Sequence, residues 1–327
     1  MLTFGRRAFL ASATAAIALA GRASAAELGG LVIHASPAGA SVLLARAVES
    51  GALERGAPGA RLKAWRNPDV LRAGIVKGDV RLFSAPSTIS ANLFNRGAPL
   101  RLLSVIGYGN IYAVTAEEEI KELADLRGQT IQLFFKNDMP DLLFRSAMTH
   151  AGLTEGRDYR IDYAASALEA TQLLLAGKAR IAILGEPVAT MALAKGAQAG
   201  LGLRRAVDIA QAWGAATGRT ARVPVLGVAA TEDLARDDMD FLSGFHAALR
   251  DAVAWMRAHP VEAGALGARD FGFNAQALAA SLAHSNIDAV PAATARGDLE
   301  FLWNALAEIS PGVVGGHLPD AAFYLAP

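Results

Sequence analysis

The chain has 327 residues, 53% hydrophobic and 19% charged, with 31 basic and 31 acidic side chains. This composition excludes a disordered chain and supplies apolar surface for one large domain or two medium ones. Cysteine is absent, which excludes disulfides, thiolate metal centres and a cysteine nucleophile, and the balanced charge argues against nucleic acid or an anionic membrane as partner.

Residues 1–25 open with Arg6 and Arg7, continue as an apolar run from Ala8 to Ala20, and close on Ala23-Ser24-Ala25. A charged start, a short apolar middle and a small-residue end are the build of a secretory signal peptide. Arg6-Arg7 followed by Phe9-Leu10 resembles a twin-arginine export signal. The apolar run falls short of the about 20 residues that span a bilayer. Removing this leader takes away Arg6, Arg7 and Arg22 and leaves 28 basic and 31 acidic residues, a net charge of −3. Ala26, not a lipid-accepting cysteine, follows. A soluble periplasmic protein is therefore expected.

Leu31 to Ala35 is a strand candidate, broken by Ser36-Pro37-Ala-Gly39, and Ala40 to Glu49 reads as a helix. Arg61 to Trp65 is a second strand, after which Pro68 opens a helix that ends by Gly78. Val80 to Phe83 is a third strand. Ser84-Ala-Pro86-Ser87 starts the next helix, with proline tolerated in the first turn, and that helix ends near Gly97. Leu100 to Ile106 is a fourth strand. Strands alternating with helices in this way predict parallel βαβ units.

A second block follows the same pattern. Thr130 to Phe135 is a strand, and Asn137-Asp138-Met-Pro140-Asp141 opens a helix to about His150. Tyr159 to Tyr163 alternates like a half-buried strand. Ser166-Ala-Leu-Glu169 is a capping-box pattern whose helix stops at Gly177. Ile181 to Leu184 is a buried strand closed by Gly185-Glu186-Pro187, and another helix runs to about Lys195. Arg204 to Ala210 and Val223 to Ala230 read as strands joined by a loop. The tail is helical. Leu242, Phe245, Leu249, Val253 and Met256 share one face of a helix from Phe241 to His259, which Pro260 stops. Helical stretches recur near Ala275 to His284 and Thr294 to Ile309.

No catalytic motif emerges. Gly200-Leu-Gly202 is followed by Arg204-Arg205 where a dinucleotide site needs its third glycine. Phosphate-loop, zinc-pair and nucleophile-elbow patterns are missing. The six histidines have no metal-like spacing. Neither cofactor nor metal is expected.

What remains are polar residues at the carboxyl ends of strands. Open α/β sheets gather ligands there, and the first turn of a helix offers unpaired N–H groups that suit an anion. Ser36 follows the first strand, Ser84, Ser87 and Thr88 the third, and Lys136, Asn137 and Asp138 the strand from Thr130. Glu186 follows the strand from Ile181, and Tyr108 and Asn110 lie in a Gly-rich segment. Ser36, Ser84, Ser87, Thr88, Tyr108, Asn110, Asn137 and Glu186 are the candidate ligand contacts. Each also has a plainer reading, as a helix cap or a packing residue. Trp65 and Trp213 could stack on a ligand or pack in the core.

Several segments resemble the periplasmic substrate-binding proteins of ABC importers, in the nitrate/sulfonate/taurine group, whose relatives also bind pyrimidine precursors. Gly78-Asp79-Val80 with Ala85-Pro86-Ser87 resembles the stretch before the family's first binding loop, and Asn95-Arg-Gly97-Ala-Pro99-Leu100 its Gly-x-Pro before a strand. Leu123-Ala-Asp-Leu-Arg-Gly128-Gln-Thr130-Ile131 is similar to the family's Asp-Leu-x-Gly-x-x-Ile entry to the second lobe. Leu175-x-Gly177 and Ile181 to Pro187 resemble its Leu-x-x-Gly-x-x-Asp-Ala…Glu-Pro run, with Arg180 in place of the usual aspartate. The likeness covers most of residues 28 to 260.

The resemblance implies an α/β fold of two lobes, type II-like, each a sheet flanked by helices, with a helical C-terminal tail. Residues 26–112 and 225–327 would form lobe 1 and residues 113–224 lobe 2, with crossings near Gly107 to Thr115 and Val223 to Ala230. It implies a monomeric, non-catalytic receptor that closes on a sulfonate, nitrate or related solute and docks on permease subunits in the inner membrane. Two alternatives remain open: an enzyme akin to the pyrimidine-forming relatives, which would want a catalytic histidine and a cysteine-rich iron site, and a module that signals to a membrane sensor.

Overall fold

A computed structural model describes residues 28–65 and 68–327; the expected leader, residues 1–25, lies outside them. The chain first lays down β1 (Val32–Ala35), α1 (Val42–Glu49), β2 (Arg61–Ala64), α2 (Pro68–Lys77), β3 (Leu82–Pro86), α3 (Ser87–Asn95) and β4 (Leu100–Tyr108). It then crosses to β5 (Ile111–Thr115), β6 (Thr130–Phe134), α4 (Met139–His150), β7 (Arg160–Ala164), α5 (Ala167–Leu175), β8 (Ile181–Gly185), α6 (Val188–Gln198), β9 (Arg204–Asp208) and α7 (Ile209–Thr217). The return strand is β10 (Pro224–Thr231), followed by α8 (Glu232–Asp237), α9 (Met239–Ala258), α10 (Pro260–Phe271), α11 (Ala275–Ser281), β11 (Asn286–Pro291) and α12 (Ala292–Ile309).

Two sheets result, flanked by helices. The first has the order β11-β4-β10-β3-β1-β2 and the second β7-β6-β8-β5-β9. The central strands are apolar on both faces: Leu102, Leu103, Val105 and Ile106 of β4 are fully buried, as are Val228, Ala229 and Ala230 of β10. The two-lobed α/β architecture is the one the sequence predicts, but the sheets are mixed rather than parallel. β10 runs antiparallel to both β3 and β4, and β5 antiparallel to β8 and β9. The crossing explains this. β1, β3 and β4 run toward the second lobe, so a strand returning from it must run the other way. β5 enters lobe 2 from the edge at which β6 and β8 end.

Four other expectations change. Ser84, Ala85 and Pro86 extend β3 instead of opening a helix, because they pair with Val228, Gly227 and Leu226 of β10, and α3 begins only at Ser87. Ile209 and Ala210 begin α7 instead of extending a strand, because the Asp208 side chain accepts a hydrogen bond from Gln211 N at 3.0 Å and caps a helix that Gly218, at φ +69°, ends. Pro260 does not merely stop α9; it is the first residue of α10, where its missing N–H costs nothing. The tail also contributes β11, the outer strand beside β4, so it is not purely helical.

Helices from the two lobes meet on both sides of the crossing: α12 packs on α4, and α11 on α6. Trp213 of α7 meets Phe301 of α12 edge to face at 5.6 Å. Tyr112 Oη donates to the His284 carbonyl at 2.8 Å, and burial pushes this phenol up to about 12. Among the described residues, no helix is long and apolar enough to cross a membrane.

One histidine gives the fold an acid limit. His246 of α9 is buried, with Nδ1 2.7 Å from Ser104 Oγ. Burial, helped by the Arg250 charge, holds its pKa below 6.5, so the fold keeps it neutral while the unfolded chain protonates it. Its contribution is present above pH 6.5 and lost as pH falls below that value. The urea midpoint should therefore be lower at pH 5.5 than at pH 7.5, and the difference should shrink in His246→Asn. An unchanged difference would remove His246 from the account.

Candidate functional site

The ends of β1, β3 and β4 face the ends of β6, β8 and β9 across the crossing. The crossing is tight. Gly109 N donates to Val223 O at 2.8 Å, and a Cβ on Gly109 would lie 2.7 Å from the Ala210 Cβ and 3.3 Å from the Val223 Cβ. Glu186 N donates to the carbonyl of half-buried Asn110 at 3.1 Å.

The lobe 1 serines use their side chains inside the protein. Ser84 is fully buried; its Oγ accepts from Ser36 N at 2.9 Å and lies 3.1 Å from Ser41 Oγ, while its carbonyl accepts from Trp65 Nε1 at 2.9 Å. Ser87 Oγ donates to Pro224 O at 2.9 Å and accepts from Trp303 Nε1 at 3.3 Å. The Ser84 bonds tie the turn after β1 to the end of β3, bringing Ser36, Ser41 and Ser84 together, while Ser87 ties the start of α3 to β10 and α12; Thr88 beside it is buried. The backbone there is what stays available. α3 begins after Pro86 with no side-chain cap, and the turn at Gly39–Ser41 that leads into α1 begins after Ala38 with none.

Lobe 2 is built the opposite way. Each helix that starts at its facing edge from β6, β8 or β9 carries its own carboxylate. Asp138 Oδ1 accepts from Met139 N at 2.8 Å at the start of α4, and Asp208 caps α7. Glu186 Oε2 accepts from Thr190 N at 3.1 Å and Thr190 Oγ1 at 2.7 Å at the start of α6. Its Oε1 lies 2.6 Å from Arg205 Nη2, and its side chain is 1% exposed. Glu186 is thus a buried partner of Arg205 rather than a free counter-charge. Burial raises the Asp208 carboxyl above its ordinary range.

Asn137 is exposed, with φ +64°, and its N–H bonds Asp141 Oδ2 at 2.7 Å. Tyr108 is buried under the Arg222 guanidinium, 4.1 Å above its ring, so it packs rather than lining an open surface. Trp65 and Trp213 are buried packing residues. Sequence reasoning missed Arg205, Thr190, Asp208, Gln211 and Phe135. Asp208-x-x-Gln211 is a capping spacing that was there to be read. Arg205 had no local signal, because its partner sits across β5 on another strand.

A polar cavity of about 330 Å³ lies between the lobes on the β9 and β11 side, lined by Tyr112, Arg205, Asp208, Gln211, His284 and Asn286. A larger cavity, about 760 Å³, lies elsewhere, among Arg55, Arg236 and Phe241 beyond the far end of β10; no facing strand ends reach it, so lobe closure cannot act on it. Among the described residues, no group of three or more His, Cys, Asp or Glu could hold a metal ion.

The model of the family described as NMT1/THI5 like matches residues 77–263. No curated protein matches the chain in sequence. Among solved structures, an ABC transporter from Parabacteroides distasonis is 24% identical, with 90% of this chain and 98% of that chain covered at a TM-score of 0.76. The periplasmic aliphatic sulphonate binding protein SsuA from Escherichia coli is 20% identical over 91% and 92%, at a TM-score of 0.70. The periplasmic nitrate-binding protein NrtA from Synechocystis is 12% identical over 76% and 68%, at 0.57. At these identities the likeness establishes the fold.

Proposed function

The chain belongs to the NMT1/THI5-like family, and from that premise we propose that it is an exported solute receptor. It captures a small anion, such as a sulfonate or nitrate, by lobe closure and delivers it to an ABC permease. Lobe 1, built on the first sheet, takes the anion first, and lobe 2, running from β5 to α7, closes over it. The observation that carries this reading is the asymmetry of the facing edges. α4, α6 and α7 already hold carboxylates at their N-termini, whereas the turn into α1 and the start of α3 have no side-chain cap. Orphan N–H groups with a partial positive charge are where an anion gains most. Retention without turnover fits Ser87, whose hydroxyl bonds the Pro224 carbonyl and the Trp303 indole rather than a base.

Nitrate, methanesulfonate, butanesulfonate, taurine and a pyrimidine test this by melting. A ligand of the folded state at a hundredfold excess over its Kd adds about 2.7 kcal/mol, which raises Tm by roughly 5 °C. One of the anions should produce that shift and be recovered unchanged in mass. Turnover of any compound would overturn the receptor reading in favour of an enzyme. A shift with the pyrimidine alone would overturn the anion assignment.

A further inference from the structure

Phe135 stands apart from every other residue at the facing edges. It directly follows β6, an inner strand of the second sheet, on the side toward lobe 1, and it is 50% exposed. Its φ is +54°, a left-handed conformation that bulky residues disfavour. Among the described non-glycine residues only Asn137, two positions on, shares that region. The loop is nevertheless braced. Asp138 N donates to Phe135 O at 3.0 Å. The fully buried Asp141 carboxylate accepts from Asn137 N at 2.7 Å and from Tyr163 Oη at 2.8 Å. Phe134 meets the Phe135 ring edge to face at 5.1 Å. Strained backbone persists only where its surroundings over-determine it, and it concentrates at ligand clamps. Here the bracing fixes a half-exposed aromatic residue at the end of β6 that faces lobe 1.

We propose that Phe135 is the specificity-determining residue of the receptor: on closure its ring covers the apolar part of an organic anion whose charged group rests on lobe 1. This rests on the receptor reading above. An inorganic anion would leave the ring uncovered, so the solute class is an organosulfonate or a similar anion with a hydrocarbon portion.

Isothermal titration of the chain from residue 26 with nitrate, methanesulfonate, butanesulfonate and hexanesulfonate tests it. For the unaltered protein, affinity should rise about three- to fourfold per methylene. Phe135→Ala should flatten that dependence, losing about tenfold for butanesulfonate and under twofold for methanesulfonate, and Phe135→Tyr should restore it. Phe135→Gly accepts the left-handed backbone and should behave like the alanine variant, so the ring is tested even if alanine disturbs the loop. A chain-length dependence that survives both truncations overturns the proposal and leaves the receptor reading standing. Unchanged binding with loss of permease-stimulated ATP hydrolysis also overturns it, giving Phe135 to the permease. No binding of any of the four by the folded, unaltered protein removes both ideas.

Discussion

Replacing Glu186 with alanine is expected to destabilise the fold by about 3–5 kcal/mol, the scale on which a buried ion pair broken on one side leaves its partner uncompensated. The partner is Arg205, whose side chain is 16% exposed and whose Nε donates to Glu186 at 2.8 Å. Thr190 would lose the acceptor of its N–H and its hydroxyl at the first turn of α6. The Arg205 guanidinium also sits 5.4 Å from the Tyr112 ring and donates from Nη2 to Thr190 Oγ1 at 2.6 Å, contacts that hold it in place after Glu186 is removed. Urea denaturation measures the loss. Removing both charges together, as Glu186→Leu with Arg205→Met, should cost much less than the sum of the single changes. A loss under 1 kcal/mol in Glu186→Ala would show that the pair is not buried in solution. Because α6 also packs on α11 of the other lobe, ligand affinity should fall along with stability.

Gly109→Ala should cost about 1–3 kcal/mol, as overpacking does where neighbours cannot withdraw, and should weaken ligand binding by about tenfold. The added methyl group would stand 2.7 Å from the Ala210 Cβ and 3.3 Å from the Val223 Cβ. The Val223 Cβ is fixed to the return passage and the Ala210 Cβ to the first turn of α7, so relief comes from moving the passage that carries Gly109 away from both. Apparent affinity falls in proportion to the fraction of molecules able to close. Titration calorimetry and the radius of gyration with and without ligand would read both effects. Gly244→Ala on α9 is the control: a Cβ there meets nothing within 4 Å, and a helical Gly→Ala change stabilises by about 0.5–1 kcal/mol. Equal behaviour of the two variants would remove the crossing from the mechanism.

The elements legible in the sequence were those whose signals are local. β1, β6 and β8 are short apolar runs bounded by glycine, proline or polar turns, and α5 carries its serine–glutamate cap within four residues. β11 was hidden because Asn286–Pro291 is mostly half-exposed, is interrupted by Asp288 and ends on proline, and becomes a strand only by pairing with β4. The loops at the facing edges were also legible, since strand ends and helix starts fix where they fall. The roles of individual side chains were not. Ser84 and Glu186 look alike as polar residues at strand ends, yet one ties β1 to β3 and the other neutralises an arginine on β9. Phe135 reads as the last residue of a strand, because a left-handed φ leaves no mark in composition.

The first sheet has a consequence for how the protein is made. β4 is flanked on both sides by strands that come much later in the chain: Val105 pairs with Gly227 on one side and with Val290 on the other. On the ribosome, the whole of the second sheet, residues 111–208, emerges while β4 still lacks both neighbours. The nascent chain thus carries three unsatisfied strand edges, one on β3 and two on β4, until β10 covers two of them and β11 the third, an invitation to mispairing that a holding chaperone would mask. The half built from a single stretch sets early, and the half that frames it on both ends is sealed last.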